Sequence, residues 1–155
     1  MTAATRYQDH KARCIAEANK HGLTQGDTHP ETGRVFFNSQ FYSASAYQRS
    51  RIRGALVSAR KRAAEQNLPF DLTEAWYQAM WPPNGRCEVI PYIHLEWGGS
   101  DMGTSPSIDR VVPALGYMQT NCRIISHRAN MLKSNATLQE MELVLAYLRK
   151  HDSAH

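Results

Sequence analysis

Residues 107–133 constrain the fold more than any other part of this chain. Two short apolar segments, 107–112 and 122–125, are separated by a turn that contains Pro and Gly. Segments of this length with β-branched residues, divided by such a turn, are typical of paired strands. Ser126 follows the second segment at once and belongs to the residue types that begin helices. The sequence therefore predicts two paired strands followed directly by a helix.

Two oxygen-bearing side chains occupy defined positions in this unit. Asp109 lies on the first predicted strand and Asn130 lies on the helix. Such an arrangement can aim both side-chain oxygens at one point, and hard divalent cations prefer oxygen ligands. Taken alone, Asp109 is more typical of a turn residue than of a metal ligand. The arrangement as a whole predicts a site for one Mg²⁺ or Mn²⁺ ion, with Asp109 and Asn130 as ligands.

The distribution of charge points to a polyanionic partner. The net charge is +4, and basic residues concentrate in two blocks without acids, 48–64 and 110–139. Blocks of this kind are typical of surfaces that bind nucleic-acid phosphates, although solvated helix faces can have the same composition. The residues predicted to bind DNA phosphates are Arg49, Arg53, Arg60, Lys61, Arg62, Arg123, Arg128 and Lys133.

Composition also excludes several classes of protein. The three cysteines are widely spaced and form no Cys-x-x-Cys pair, which indicates neither a disulfide framework nor a structural zinc site. The N-terminus lacks a secretory leader and no apolar run is long enough to span a membrane, so we expect a cytoplasmic protein. His10, His21 and His29 match no zinc-binding spacing with Cys14, and we expect these histidines on the surface.

Local patterns predict further elements on either side of the central unit. They are a helix over 5–21, a hairpin over 34–42, a basic amphipathic helix over 45–66, a helix over 72–81, a strand over 86–90 and a terminal helix over 138–150. Asp71 with Glu74, and Thr137 with Glu140, have the spacing of helix capping boxes. The apolar stripe of the terminal helix is expected to face the core and consists of Leu138, Met141, Leu145 and Leu148.

Three strings carry a family resemblance. They are Pro-Ser-Ile-Asp-Arg from residue 106, Gly-Tyr-x-x-x-Asn from residue 116, and Ser-x-x-Ala-Asn-x-x-Lys-Ser-x-Ala-Thr from residue 126. Together they resemble the HNH branch of the His-Me finger endonucleases, in particular the small phage and prophage HNH proteins. The resemblance covers roughly residues 50–150.

The resemblance implies an α+β fold in which a ββα-metal core is flanked by a basic helix before it and a C-terminal helix after it. It separates an N-terminal segment, 1–44, with a short helix and a hairpin, from a nuclease domain, 45–155, that includes the basic helix. The implied activity is metal-dependent hydrolysis of DNA phosphodiester bonds in the cytoplasm of a bacterial host. In this family Asp109 and Asn130 would bind the metal, and Asn121 would tie the loop to the strand.

Arg110 departs from the family pattern, because the family has at this position the His that accepts a proton from the attacking water. A guanidinium group stays protonated at neutral pH and cannot act as a general base, but it can bind a phosphate bidentately. Three alternatives stay open: a base from elsewhere, such as His127 or His94; activation of the water by the metal alone; or an inactive protein that keeps the fold to bind DNA or a partner protein. The family's zinc knuckles are reduced to Cys87, so we expect no structural zinc.

Overall fold

The computed structural model describes residues 2–98 and 101–152 of the chain. In this part of the chain, α-helices and two antiparallel two-stranded sheets confirm the predicted mixed α+β class. In chain order the elements are α1 (Ala3–Lys20), β1 (Val35–Phe37), β2 (Gln40–Tyr42), α2 (Ala44–Glu65), α3 (Glu74–Ala79), β3 (Pro106–Arg110), β4 (Cys122–Ser126), α4 (His127–Lys133) and α5 (Leu138–Asp152). None of the helices in the described ranges is both long and apolar enough to cross a membrane.

The predicted N-terminal helix and hairpin are confirmed, and they share a small apolar cluster. Thr2 begins α1, because its hydroxyl oxygen accepts a hydrogen bond from the backbone N–H of Thr5 at 3.2 Å. Cys14 and Ala18 on α1 then pack against Phe36 on β1. This cluster is separate from the larger core that carries the candidate site.

α2 is the long helix on which the larger core is assembled. Ser43 begins it, because the Ser43 hydroxyl accepts a hydrogen bond from the N–H of Ala46 at 3.2 Å. Ile52, Ala59 and Ala63 lie on one face of the helix and are each at most 1% exposed, which confirms the predicted apolar stripe. Complete burial of a side chain such as Ile52 stabilises the fold by about 1.5–3 kcal/mol. The rest of this core includes Leu72, Trp76, Tyr77, Ile108, Ile124 and Ile125.

The predicted strand pair and the helix after it are present. β3 and β4 are antiparallel, with Asp109 opposite Arg123. Ser126 is the last residue of β4, and its hydroxyl accepts a hydrogen bond from the N–H of Ala129 at 3.1 Å. α4 therefore begins at the very next residue, His127, with Ser126 as its capping residue.

The expectation of a strand over 86–90 was wrong. A single bridge joins Arg86 to His94, and no ladder continues from it among the described residues. The N–H of Ile93 donates to the carbonyl of Ile90 at 3.0 Å, so the chain already turns back at this point and the pairing stops at that one bridge.

The helix expected over 72–81 is shorter, and a different residue begins it. The Thr73 hydroxyl accepts a hydrogen bond from the N–H of Trp76 at 3.0 Å, so Thr73 and not Asp71 caps α3. The Asp71 carboxylate instead accepts a hydrogen bond from the N–H of Gln119 at 2.6 Å. A long-range contact has therefore replaced the predicted local one.

The terminal helix is present, but its predicted contact with the core was wrong. Its capping box is confirmed, since Thr137 N–H donates to Glu140 at 2.7 Å and Glu140 N–H donates to the Thr137 hydroxyl at 3.2 Å. No residue of α5 is buried, however. The stripe predicted to face the core is exposed by 38–77% and consists of Leu138, Met141, Leu145 and Leu148. Periodicity showed that one face is apolar, but it contained no information on what covers that face.

Candidate functional site

A polar cleft of about 300 Å³ lies where β3, α4 and the end of α2 meet. It brings together five residues that the sequence singled out from separate segments. Its lining consists of Arg62, Ser107, Ile108, Asp109, Arg110, Pro113, Tyr117, His127, Asn130 and Ser134. The cleft therefore contains a carboxylate, an amide, an imidazole and two guanidinium groups within one small volume.

Asp109 is buried beside the cleft and forms an ion pair with Lys133. The ammonium nitrogen of Lys133 lies 2.8 Å from each carboxylate oxygen and also donates to the backbone carbonyl of Arg110 at 2.6 Å. The Asp109 residue is only 8% exposed, so this pair is less screened by solvent than a surface ion pair. Lys133, which is predicted to contact DNA phosphates, therefore forms an ion pair with the predicted metal ligand.

Asn130 is held in position by the strand it faces. Its side-chain N–H donates to the Ser107 hydroxyl at 2.8 Å. This hydrogen bond turns the amide nitrogen of Asn130 toward β3. Among the described residues, none donates a hydrogen bond to the side-chain oxygen of Asn130. An amide oxygen without a donor is a suitable ligand for a hard cation.

Asn121 supports the loop between β3 and β4 and does not line the cleft. Its side-chain N–H groups donate to the carbonyl oxygens of Val112 at 2.9 Å and Gly116 at 2.8 Å. Its side-chain oxygen accepts a hydrogen bond from the N–H of Val112 at 3.0 Å. Asn121 thus satisfies its donors and its acceptor within the loop, which fixes the backbone that follows Arg110.

Two arginines meet at Tyr117, a residue to which sequence reasoning assigned no role. The Arg110 guanidinium lies 4.8 Å from the Tyr117 ring centroid and donates to Gln66 at 3.0 Å and to the carbonyl of Pro113 at 3.1 Å. Arg62 donates to the Tyr117 hydroxyl at 2.9 Å. Tyr117 belongs to the Gly-Tyr-x-x-x-Asn string, which was the only signal in the sequence that could have identified it. Tyr117 therefore contacts both of the arginines that line the cleft.

Of the two histidines considered as a base, only His127 lines the cleft. It is the first residue of α4, and its backbone N–H donates to the carbonyl of Ser105 at 2.7 Å. His94 is exposed and lies beside Gly85, away from the cleft. By position, His127 is therefore a candidate for a base that acts in the cleft, and His94 is not.

Most of the residues predicted to bind DNA are not at the cleft. Arg53 pairs with Glu74 at 2.7 Å and Lys61 pairs with Glu65 at 3.8 Å. Arg60 lies 4.9 Å from the centroid of the Phe70 ring.

The remaining predicted contacts lie on three different elements, α2, β4 and α4. Arg49 and Arg128 are exposed, on α2 and α4 respectively. Arg123 donates to the carbonyl of Cys122 at 2.8 Å and lines a different cavity. Arg62 is the one residue of the α2 set that reaches the cleft lining.

A second group of potential metal ligands lies in the N-terminal segment. Glu17 lies 3.1 Å from Nε2 of His21 and 3.4 Å from Nε2 of His29. His29 is only 4% exposed, so the expectation that it lies on the surface was wrong. Its burial follows from contacts with α1 that local spacing cannot reveal.

The hydrogen bonds of His29 argue against a metal in this group. Its Nδ1 accepts hydrogen bonds from the backbone N–H groups of Glu31 at 3.2 Å and Thr32 at 3.3 Å. A neutral imidazole with an accepting Nδ1 carries its proton on Nε2, so that nitrogen donates to Glu17 and has no lone pair for a metal. The hydrogen bond from His29 lowers the pKa of Glu17. We interpret the group as a structural link between α1 and the loop before β1.

Cys87 is buried in the main core, beside β4. Its sulfur accepts hydrogen bonds from the N–H groups of Ser126 at 3.3 Å and Ile90 at 3.4 Å. Burial raises the pKa of the Cys87 thiol, but hydrogen bonds from the Ser126 side chain and from the backbone of Ser126, Ile90 and Val89 outweigh it and hold the pKa below its usual value.

Comparison of the chain with models of protein families, with curated proteins and with solved structures found no match.

Proposed function

We propose that this protein is a metal-dependent endonuclease that hydrolyses phosphodiester bonds in DNA, with β3, β4 and α4 as an HNH-type ββα-metal core. One observation carries the proposal: Asp109 and Asn130 line the same small cleft as two guanidinium groups. Oxygen ligands suit a divalent cation, and guanidinium groups suit the phosphate that the cation would polarise.

The ion pair of Lys133 supports the cation site. Its ammonium group is held by two carboxylate oxygens of Asp109 and one backbone carbonyl, which is a set of oxygens that attracts positive charge. The Asp109 carboxylate and the free oxygen of Asn130 would hold Mg²⁺ or Mn²⁺. With Asp109 engaged in this way, the Lys133 ammonium group would contact a phosphate oxygen of the substrate.

Arg110 acts on the phosphate in this proposal, because it cannot accept a proton from water. With Arg62 it neutralises the charge that develops on the phosphate as the phosphorus–oxygen bond breaks. His127 is the base, since it is the histidine that lines the cleft. A divalent cation held by Asp109 and Asn130 would polarise the phosphate and stabilise the leaving oxygen.

A second set of DNA contacts lies on α2 outside the cleft. Arg49, Arg53 and Arg60 share one face of this helix, about 140–180° around its axis from Arg62 at 3.6 residues per turn. These exposed arginines would contact phosphates other than the one in the cleft. Contacts of this kind give affinity without sequence preference.

The test is nicking of supercoiled plasmid in Mg²⁺ or Mn²⁺, with EDTA as the control. Asp109→Asn and Asn130→Ala should each lower the nicking rate by about 100-fold or more, because a metal ligand is lost. Asp71→Asn is the matched control, since Asp71 is a carboxylate with a hydrogen-bonded partner outside the cleft. Nicking by Asp109→Asn at the wild-type rate would refute the proposed enzyme.

A second function is a non-catalytic DNA-binding protein on the same fold. Two features favour it. The ammonium group of Lys133 neutralises the Asp109 carboxylate without any metal. Arg110 also stands where the HNH resemblance implies a histidine that acts as the base. This alternative predicts DNA binding without metal-dependent nicking. Binding through roughly six phosphates gives a slope near −5 for log K against log salt.

A further inference from the structure

We propose that α5 pairs with α5 of a second copy of this chain, with the two helices antiparallel. This inference is independent of the proposed nuclease activity, because α5 contributes no residue to the cleft. It starts from the apolar face of α5, which the rest of the described chain leaves uncovered.

The exposed face has the spacing of a helix–helix contact. Leu138, Met141, Leu145 and Leu148 follow one another at intervals of three, four and three residues. Positions at these intervals form a single stripe on a helix, and the same spacing is used by paired helices in coiled coils. Val144 widens the stripe and is 53% exposed. A contiguous exposed apolar surface of this kind marks an interaction site.

α5 also needs a partner for its own stability. It has 15 residues and no buried side chain. Isolated helices of that length are marginal in water, because packing of an apolar face supplies most of the stability of protein helices. The Thr137–Glu140 capping box stabilises the first turn only.

The charges of α5 select the second copy as the partner and the antiparallel orientation. Glu140 and Glu142 lie near the start of the helix, and the basic residues of the last turn are Arg149, Lys150 and His151. Glu142 and Arg149 are seven positions apart and so flank the same side of the stripe. Two antiparallel copies place the acidic end of each helix beside the basic end of the other, whereas a parallel pair places like charges together.

The size of the contact predicts how tight this pairing is. A helix of 15 residues is about 22 Å long. Stable interfaces bury about 800 Å² from each partner, which is more than one face of such a helix provides. A symmetric pair of α5 helices is therefore a weak dimer, with Kd on the order of micromolar.

Sedimentation equilibrium of the full chain over about 1 to 200 µM tests the proposal. The weight-average mass of the wild type should rise from 17.6 kDa toward twice that value. Leu145→Glu combined with Leu148→Glu should stay at 17.6 kDa over the whole range. Leu143→Glu is the matched control, because Leu143 is 65% exposed on the opposite side of α5 and this variant should dimerise as the wild type does.

Three results would overturn the pairing: a wild type that stays monomeric throughout, a double variant that dimerises like the wild type, or a control that loses the dimer as completely as the double variant. Circular dichroism of each variant shows whether the helix is retained. Raising NaCl from about 50 to 500 mM should weaken an antiparallel dimer severalfold, since opposite charges adjoin. Tighter dimerisation in high salt would contradict the antiparallel orientation.

Discussion

The ammonium group of Lys133 lies 2.8 Å from both carboxylate oxygens of Asp109. The carboxylate comes from β3 and the ammonium from the last residue of α4, so this ion pair joins the strand to the helix. The same two oxygens are those that a divalent cation would use. In the proposed nuclease, Lys133 and the metal therefore compete for Asp109.

Replacing Lys133 with Met tests this competition. Without the ammonium group, the Asp109 carboxylate is free and carries an unbalanced charge, so we expect Mn²⁺ to bind about tenfold more tightly. In the absence of metal the variant should be less stable by about 1–3 kcal/mol, because a largely buried carboxylate has lost its partner. Calorimetric titration with Mn²⁺ and urea unfolding measure the two effects.

Lys61→Met is the control for this substitution, since Lys61 also pairs with a carboxylate but on the surface of α2. Its Mn²⁺ affinity should equal that of the wild type. Weaker Mn²⁺ binding by Lys133→Met would show that Lys133 does not compete with a metal.

Replacing Arg110 with Lys tests the role of the guanidinium group. Lysine keeps the charge but lacks the planar fork that contacts Gln66, Pro113 and the Tyr117 ring. Arginine and lysine are not equivalent at bidentate or stacked positions, so plasmid nicking should fall by about tenfold or more. Arg86→Lys, which lies outside the cleft lining, should nick at the wild-type rate.

Arg110→His tests the role of the guanidinium group in a second way, because it introduces the histidine that the HNH resemblance implies at this position. We expect no gain, since the histidine would lose the phosphate contact that the guanidinium provides. A large gain in nicking would show instead that Arg110 weakens the natural site.

The part of the fold that the sequence predicted well is the part governed by local chemistry. Ser126 ends β4 and caps α4, and its neighbours in sequence suffice to specify both events. The apolar stripe of α2 could likewise be predicted, because Ile52, Ala59 and Ala63 lie on one helix and share one face. Short-range hydrogen bonds and periodicity need no knowledge of the rest of the chain.

The relationships that the sequence did not reveal are long-range. The ion-pair partner of Lys133 lies 24 residues earlier, on β3. Burial of His29 depends on α1, and the Tyr117 contact of Arg62 joins residues 55 positions apart. Such contacts depend on how elements pack, and no periodicity or spacing in a single sequence encodes the packing.

Replacing Asn121 with Ala should destabilise the protein without removing a group from the cleft. Asn121 makes three hydrogen bonds to the loop and is only 6% exposed. Loss of these bonds leaves the buried carbonyl of Gly116 and the partly buried backbone groups of Val112 without their partner, at a cost of about 1–3 kcal/mol in urea unfolding. The exposed Asn135→Ala should change stability by less than about 0.5 kcal/mol. Equal effects of the two substitutions would contradict the role assigned to Asn121.

Replacing Glu17 with Gln should change how stability depends on pH. The hydrogen bond from His29 holds the pKa of Glu17 below its ordinary value of 4.5, so the folded state favours the carboxylate. The resulting stabilisation is present above about pH 4.5 and is lost as the pH falls through the folded value. Urea unfolding between about pH 3 and pH 7 should therefore show a smaller acid loss for Glu17→Gln than for the wild type. Parallel curves would contradict this, and Glu31→Gln serves as the control.

The central claim is that Asp109 and Asn130 together hold one divalent cation, and crystals soaked in Mn²⁺ test it directly. We expect an anomalous peak within about 2.2 Å of an Asp109 carboxylate oxygen and of the Asn130 side-chain oxygen, with the Lys133 ammonium displaced from Asp109. An Asp109–Lys133 ion pair that stays intact at saturating Mn²⁺, with no peak in the cleft, would contradict it.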